Sequence, residues 1–236
     1  MKILALDSPG LVASVALLEN DNLVAEFTVN NKKTHSQTLL PMLDEVVNAA
    51  GIELDAVDAI AIAAGPGSFT GLRIGAATVK GLSLALDKPV VPVPTLEGLA
   101  YNFWGSDRLI CPIMDARRNQ VYTGLYRFDE AGNLVTEMDQ IPMDVNELID
   151  LLLEKDEEVQ FTGDGIQVYG SQILSKMKHA RLAPAHLNKQ KAGSVAYAGA
   201  YRYAHEQYIN GDDFAPEYLR MSQAERERKE KGERNE

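Results

Sequence analysis

Apolar positions in the first hundred residues follow two rhythms. Residues 3–6, 13–18 and 23–29 are short runs rich in Leu, Val, Ala and Ile. The turns between them carry Pro9-Gly10 and Asn20-Asp21-Asn22, which suit hairpin connections. Residues 37–50 take up helical spacing and stop at Gly51, a residue type favoured just past a helix end. An apolar strand over 59–64, a Gly-rich turn, a helix over 71–86, a strand over 90–93 and a helix over 96–103 complete the order βββαβα.

The opening recurs. Ile3-Leu4-Ala5-Leu6-Asp7 is an apolar strand ending in Asp, followed by a turn and a second strand; Ile110-Cys111-Pro112-Ile113-Met114-Asp115 repeats it, with a strand over 120–128. A helical stretch over 145–153, a strand over 159–162 and the turn Gly163-Asp164-Gly165 come next. This pattern reads as one α/β unit and a diverged, truncated second copy. The first half covers residues 1–104 and is completed by a C-terminal helix over about 195–209; the smaller second half covers 105–190. From 222 to 236 the chain is almost wholly charged or polar and offers nothing to bury, so a disordered tail is expected there.

Charge narrows the choice of partners. Asp and Glu outnumber Lys and Arg 34 to 23, a net charge of -11. A protein that grips a nucleic-acid backbone normally offers a basic patch, so little direct RNA binding is expected. No apolar run approaches the roughly 20 residues that cross a bilayer, and the N-terminus reads as a strand rather than a signal peptide. The single cysteine, Cys111, excludes an internal disulfide and fits a reducing cytoplasm. It lies in an apolar run, as a buried structural thiol does.

The most distinctive stretch is Gly65-Pro66-Gly67-Ser68-Phe69-Thr70-Gly71, between a strand and a helix. Free amides at such a place can hold an anion, which makes Asp7, Gly65, Gly67, Ser68 and Thr70 candidates for a nucleotide-proximal site. The segment matches neither a Walker loop nor a dinucleotide fingerprint. The plainer reading is a tight turn with Ser68 or Thr70 capping the helix. Asp7 and Asp115 end equivalent strands, where nucleotide-binding folds of the actin type orient a metal-bound nucleotide. His35 opens the first helix, but Leu39 stands one turn on where a second metal ligand belongs.

Two helices are more apolar than a single buried stripe requires. In the first, Leu39, Leu40, Leu43, Val46 and Val47 mark this width; in the second, Ala76, Ala77 and Gly81 do, with Arg73 and Lys80 among the few polar breaks. Gly71, Gly75, Ala77, Gly81 and Ala85 supply small residues at helical spacing, which let another helix approach closely. Those ten side chains form a candidate partner interface.

Taken together, the opening strand, His35-Ser36 leading into Leu39-Leu40-Pro41, the run from Gly65 to Gly75, and Pro216-Glu217-Tyr218-Leu219-Arg220 resemble the TsaB (YeaZ) family over the whole chain except its tail. The resemblance implies an α/β fold of the actin/Hsp70-like (ribonuclease H-like) duplicated type. It implies a non-catalytic partner of TsaD, the metal-bearing subunit that transfers a threonylcarbamoyl group to adenosine 37 of tRNA. TsaE, an ATPase, joins that pair, and TsaC makes the adenylate. Association is implied through the two helices above, with TsaD or with a second copy. No cofactor is implied for this chain alone, ATP or ADP belonging at the complex interface. Many members read D-T-S-T where this chain has Asp7-Ser8-Pro9-Gly10, which argues against nucleotide binding by this chain. The competing reading is a metal- or nucleotide-dependent hydrolase acting alone.

Overall fold

The computed structural model describes residues 1–31 and 33–220; the charged tail expected over 222–236 lies outside them. Strands β1 (Lys2–Asp7), β2 (Ala13–Glu19) and β3 (Asn22–Val29) form an antiparallel meander, and Asp7 lies opposite Ser14 in the β1–β2 register. Helix α1 (His35–Ala50) leads to β4 (Ala59–Ala63), and α2 (Phe69–Leu86) leads to β5 (Val90–Val93). Both strands run parallel in the sheet, giving the order β3-β2-β1-β4-β5. The central strands are apolar at nearly every position because both of their faces are covered.

After α3 (Thr95–Ala100) the plan repeats. Strands β6 (Leu109–Arg117), β7 (Gln120–Phe128) and β8 (Leu134–Asp144) form a second meander, followed by α4 (Val145–Lys155), β9 (Val159–Thr162), α5 (Ile166–Lys176) and β10 (Ala180–Leu182). The sheet order is β8-β7-β6-β9-β10, the same path through space as in the first sheet. Two sheets with one topology make this the duplicated ribonuclease H-like, actin-type α/β fold. The helices of the second unit are the shorter ones, 11 residues each against 16 and 18.

The halves exchange helices. Leu96, Leu99 and Ala100 of α3 bury against Ile110, Met114 and Tyr126 of the second sheet. The last helix, α6 (Ala192–Ala204), returns to the first sheet, where Val195, Ala196 and Ala198 meet Ile3, Ala5 and Ala61. Gly199 permits that approach, since a Cβ there would stand 2.6 Å from Ala61 Cβ.

Three boundaries depart from the sequence reading. Helix α6 stops at Ala204 instead of 209, and Ile209 forms an antiparallel bridge to Val90, extending the sheet edge with bonds of 2.9 Å both ways. Helix α3 ends at Ala100 and gives way to a tighter turn over Tyr101–Phe103. Helix α2 starts at Phe69, with Ser68 as its N-cap, its Oγ accepting from Gly71 N at 3.4 Å. No described helix is long and apolar enough to cross a membrane.

Candidate functional site

The Gly-rich loop joins β4 to α2 and presses against two other segments. Gly65 has φ +124°, a conformation that side chains rarely adopt, and a Cβ there would overlap the Glu217 carbonyl. Several of the loop's backbone groups bond to neighbouring segments. Gly65 N donates to Thr95 Oγ1 at 3.1 Å, Gly65 O accepts from Thr95 N at 2.8 Å, and Ser68 N donates to Pro9 O at 2.6 Å. At Gly67 a Cβ would stand 2.5 Å from Pro9 Cβ, and at Gly71 it would overlap the Ser8 carbonyl oxygen. Ser8 is fully buried and donates from Oγ to Gly71 O at 2.9 Å. Ser68 and Thr70 are exposed at the helix start. Glycine here makes room for this chain's own backbone.

Asp7 lies beneath that loop, 1% exposed, and its Oδ1 has no hydrogen-bond partner among the described residues. Burial pushes its carboxyl up to about 8, with the Glu26 charge adding to the effect. At neutral pH the group is therefore mostly protonated. Buried Gln190 fills the position against Gly10, its Nε2 3.9 Å from Met114 Sδ. Asp115 is exposed and serves its own hairpin, accepting from Arg117 N at 2.8 Å.

The other reactive side chains are likewise committed. His35 donates from Nε2 to Gly10 O at 2.8 Å, tying the start of α1 to the β1–β2 turn. Cys111 is buried against Thr123 Oγ1 at 3.4 Å, and burial pushes its thiol up to about 12. Among the described residues, no three or more His, Cys, Asp or Glu gather in a way that could hold a metal ion.

The candidate interface divides by helix face. Leu39, Leu43, Val46, Val47 and Ala76 are 9% exposed or less and belong to the core beneath the first sheet, so they are withdrawn from any surface. The apolar width of α1 is consumed by β2 and β3. Leu40 is 56% exposed, and Arg73, Ala77 and Gly81 all face outward. Lys80 is half-buried and donates from Nζ to Asp212 O at 3.0 Å. A Cβ on Gly81 would meet nothing within 4 Å. Leu84, unremarked in the sequence reading, is 79% exposed beside this row; its helical spacing from Gly81 was the available signal.

A C-terminal strap is the second feature that residue patterns did not reveal. Glu217 N donates to Ala64 O at 2.8 Å, and Glu217 Oε2 accepts from Gln140 Nε2 of β8 at 2.5 Å. The Tyr218 ring lies 4.6 Å from that of Phe69, over which the Arg73 guanidinium sits at 3.9 Å. Arg220 Nη1 then donates to Ala116 O at 2.6 Å, so four residues bridge both halves across the Gly-rich loop.

A family model described as TsaD: tRNA N6-adenosine threonylcarbamoyltransferase matches residues 22–228. The tRNA threonylcarbamoyladenosine biosynthesis protein TsaB of Bacillus subtilis (strain 168) is 34% identical over 230 residues, covering 95% of this chain and 96% of that protein. TsaB of Escherichia coli (strain K12) is 38% identical over 135 residues, 56% of this chain and 58% of the relative. The solved structure of YeaZ from Pseudomonas aeruginosa superposes with a TM-score of 0.76 at 28% identity, covering 92% of this chain and 99% of that one. The chain belongs to the TsaB (YeaZ) family, whose members are named for tRNA threonylcarbamoyladenosine biosynthesis.

Proposed function

We propose that this chain is a non-catalytic partner and activator of TsaD. It works in forming the threonylcarbamoyl group on adenosine 37 of tRNAs that read codons beginning with adenine. The observation that carries the reading is the outer face of α2. Arg73, Ala77, Gly81 and Ala85 lie four residues apart in one exposed row beside exposed Leu84, and Leu40 of α1 is exposed as well. A row of small residues leaves a groove into which a ridge of another helix packs at close range. Among the described residues nothing stands within 4 Å of a Cβ placed on Gly81.

Chemistry supports the accessory role. Cys111 is buried as a thiol, His35 is spent on a carbonyl, and Asp7 is held protonated beneath the loop. The chain holds no nucleotide by itself in this reading, and any ATP or ADP of the assembly sits at the interface with TsaD. TsaE joins that pair, TsaC supplies the adenylate, and the isolated chain pairs with itself through the same face. Its acidic surface leaves most of the tRNA to TsaD, and the whole assembly works in the cytoplasm.

Size-exclusion chromatography with light scattering, on the chain alone and mixed with TsaD of the same organism, tests this. A one-to-one complex that displaces any self-dimer is expected. No complex, even with TsaE and ATP, or ATP or peptide hydrolysis by the isolated chain, would favour a hydrolase acting alone.

A further inference from the structure

The eight arginines among the described residues sort into two sets. Arg108, Arg127, Arg181 and Arg202 each meet at least one glutamate, at distances from 2.6 to 3.6 Å. Arg73, Arg117, Arg118 and Arg220 have no carboxylate partner among the described residues. In a chain with 34 acidic residues against 23 basic ones, four unpaired guanidiniums are unexpected if scattered at random. They are not scattered.

The strap draws them to one edge. Arg73 sits over Phe69, Phe69 stacks on Tyr218, and Arg220 follows two residues later, at most about 7 Å along the chain. Arg220 in turn holds Ala116 O, next to Arg117 and Arg118 at the tip of the β6–β7 hairpin. That tip is unusual. Arg117, Arg118 and Asn119 have φ of +63°, +56° and +62°, three successive residues in a region that residues other than glycine seldom enter. Such a conformation persists only where its surroundings enforce it. Here Asp115 Oδ1 takes Arg117 N at 2.8 Å, Asp144 Oδ2 takes Asn119 Nδ2 at 2.9 Å, and Asn119 O takes Val145 N at 3.0 Å. The backbone is tied down while both arginine side chains stay exposed and unpaired.

We propose that this edge, with Arg117 and Arg118 at its tip and Arg220 behind them, is a binding site for the phosphate backbone of RNA. A guanidinium fork matches two phosphate oxygens, and backbone contacts position a nucleic acid without reading its sequence. In a chain of net charge -11, guanidiniums without a carboxylate partner favour this edge as the place where RNA is held. The edge meets the start of α2 at Arg73, so an RNA held there lies beside the partner face. The inference rests on the proposed function for the identity of the RNA.

The test uses a labelled tRNA transcript whose anticodon reads codons beginning with adenine, bound to the assembled complex with TsaD at several salt concentrations. Arg117→Asn/Arg118→Asn is the variant, because Asn tolerates positive φ and spares the fold; Arg117→Lys/Arg118→Lys keeps the charge. Light scattering checks assembly independently. The Asn pair is expected to weaken binding about 10-fold at low salt and to lower the salt slope by about 1.5–2, for two lost phosphate contacts, while the Lys pair keeps most of the slope. Unchanged affinity and slope in an intact complex would overturn the proposal. So would an Asn pair that binds RNA normally but no longer assembles with TsaD, since the edge would then face an acidic protein surface. If the wild-type chain forms no complex, the proposed function falls, and the same comparison on the chain alone still decides the arginine edge.

Discussion

At the inner end of α2, Gly71 leaves room for this chain's own backbone, and a Cβ there would overlap the Ser8 carbonyl oxygen. Ten residues later on the same helix, Gly81 leaves room that nothing among the described residues fills. The residue type and the helix are shared, but the demand differs. The loop end is a solved packing problem, closed by Ser8, Pro9 and the strap. The outer stripe is open among the described residues, and in the proposed function a partner covers it. A glycine-rich stretch is therefore no guide to binding until its neighbours are known.

The largest expected effect breaks the inner side of this comparison. Gly71→Ala should destabilise the fold by about 3 kcal/mol or more, because its neighbour is rigid backbone rather than a flexible side chain. Urea unfolding measures this; a loss below about 1 kcal/mol would mean the loop yields easily.

Asp7 gives the next effect, beneath the same loop. Its folded carboxyl titrates at about 8 against 3.8 in the unfolded chain. Between those values the folded chain keeps a proton that the unfolded chain has released. The stability it contributes is therefore full below about pH 4 and is lost as pH rises through about 8. One pKa unit corresponds to about 1.4 kcal/mol, so wild type should lose about 2.5–3 kcal/mol between pH 5 and pH 7 relative to Asp7→Asn. Parallel stability curves for the two proteins would contradict the buried, protonated carboxyl.

Tyr218→Ala removes the ring on which Phe69 stacks and should cost about 1 kcal/mol in thermal or urea unfolding. Smallest is Gly81→Ala, which should raise stability by about 0.5–1 kcal/mol, since Gly costs that much relative to Ala inside a helix and the site is open. A destabilised Gly81→Ala would place a hidden contact there and erase the contrast with Gly71.

Much of the first half was legible because its signals were strong. Strands buried on both faces read as continuous apolar runs, and α1 and α2 have long helical periods ended by Gly51 and by Asp87, both in the left-handed region. The second half hid three elements. Strand β8 is an edge strand whose exposed and half-buried positions do not alternate cleanly, and its pairing with β7 shifts register twice. Helix α5 contains Gly170 and exposes Val168 and Leu174, so its apolar positions do not form one face. Strand β10 is three residues long.

The candidate interface was legible in width but not in direction. Spacing revealed that α1 and α2 were apolar on more than one side, yet it could not say that β2 and β3 would claim Leu39, Leu43, Val46 and Val47 while Leu40 stayed outside. The strap was invisible to periodicity because its bonds run from Ala64 to Glu217 and from Ala116 to Arg220, contacts between distant segments.

The central claim is that the outer row of α2 serves a partner chain, and Gly81→Phe tests it most directly. Its affinity for TsaD would be measured by isothermal titration calorimetry, with the unfolding temperature of the free chain measured alongside. The account predicts an unfolding temperature close to wild type and binding weakened at least about 10-fold, or about 1.4 kcal/mol. Wild-type affinity in the well-folded variant would contradict it.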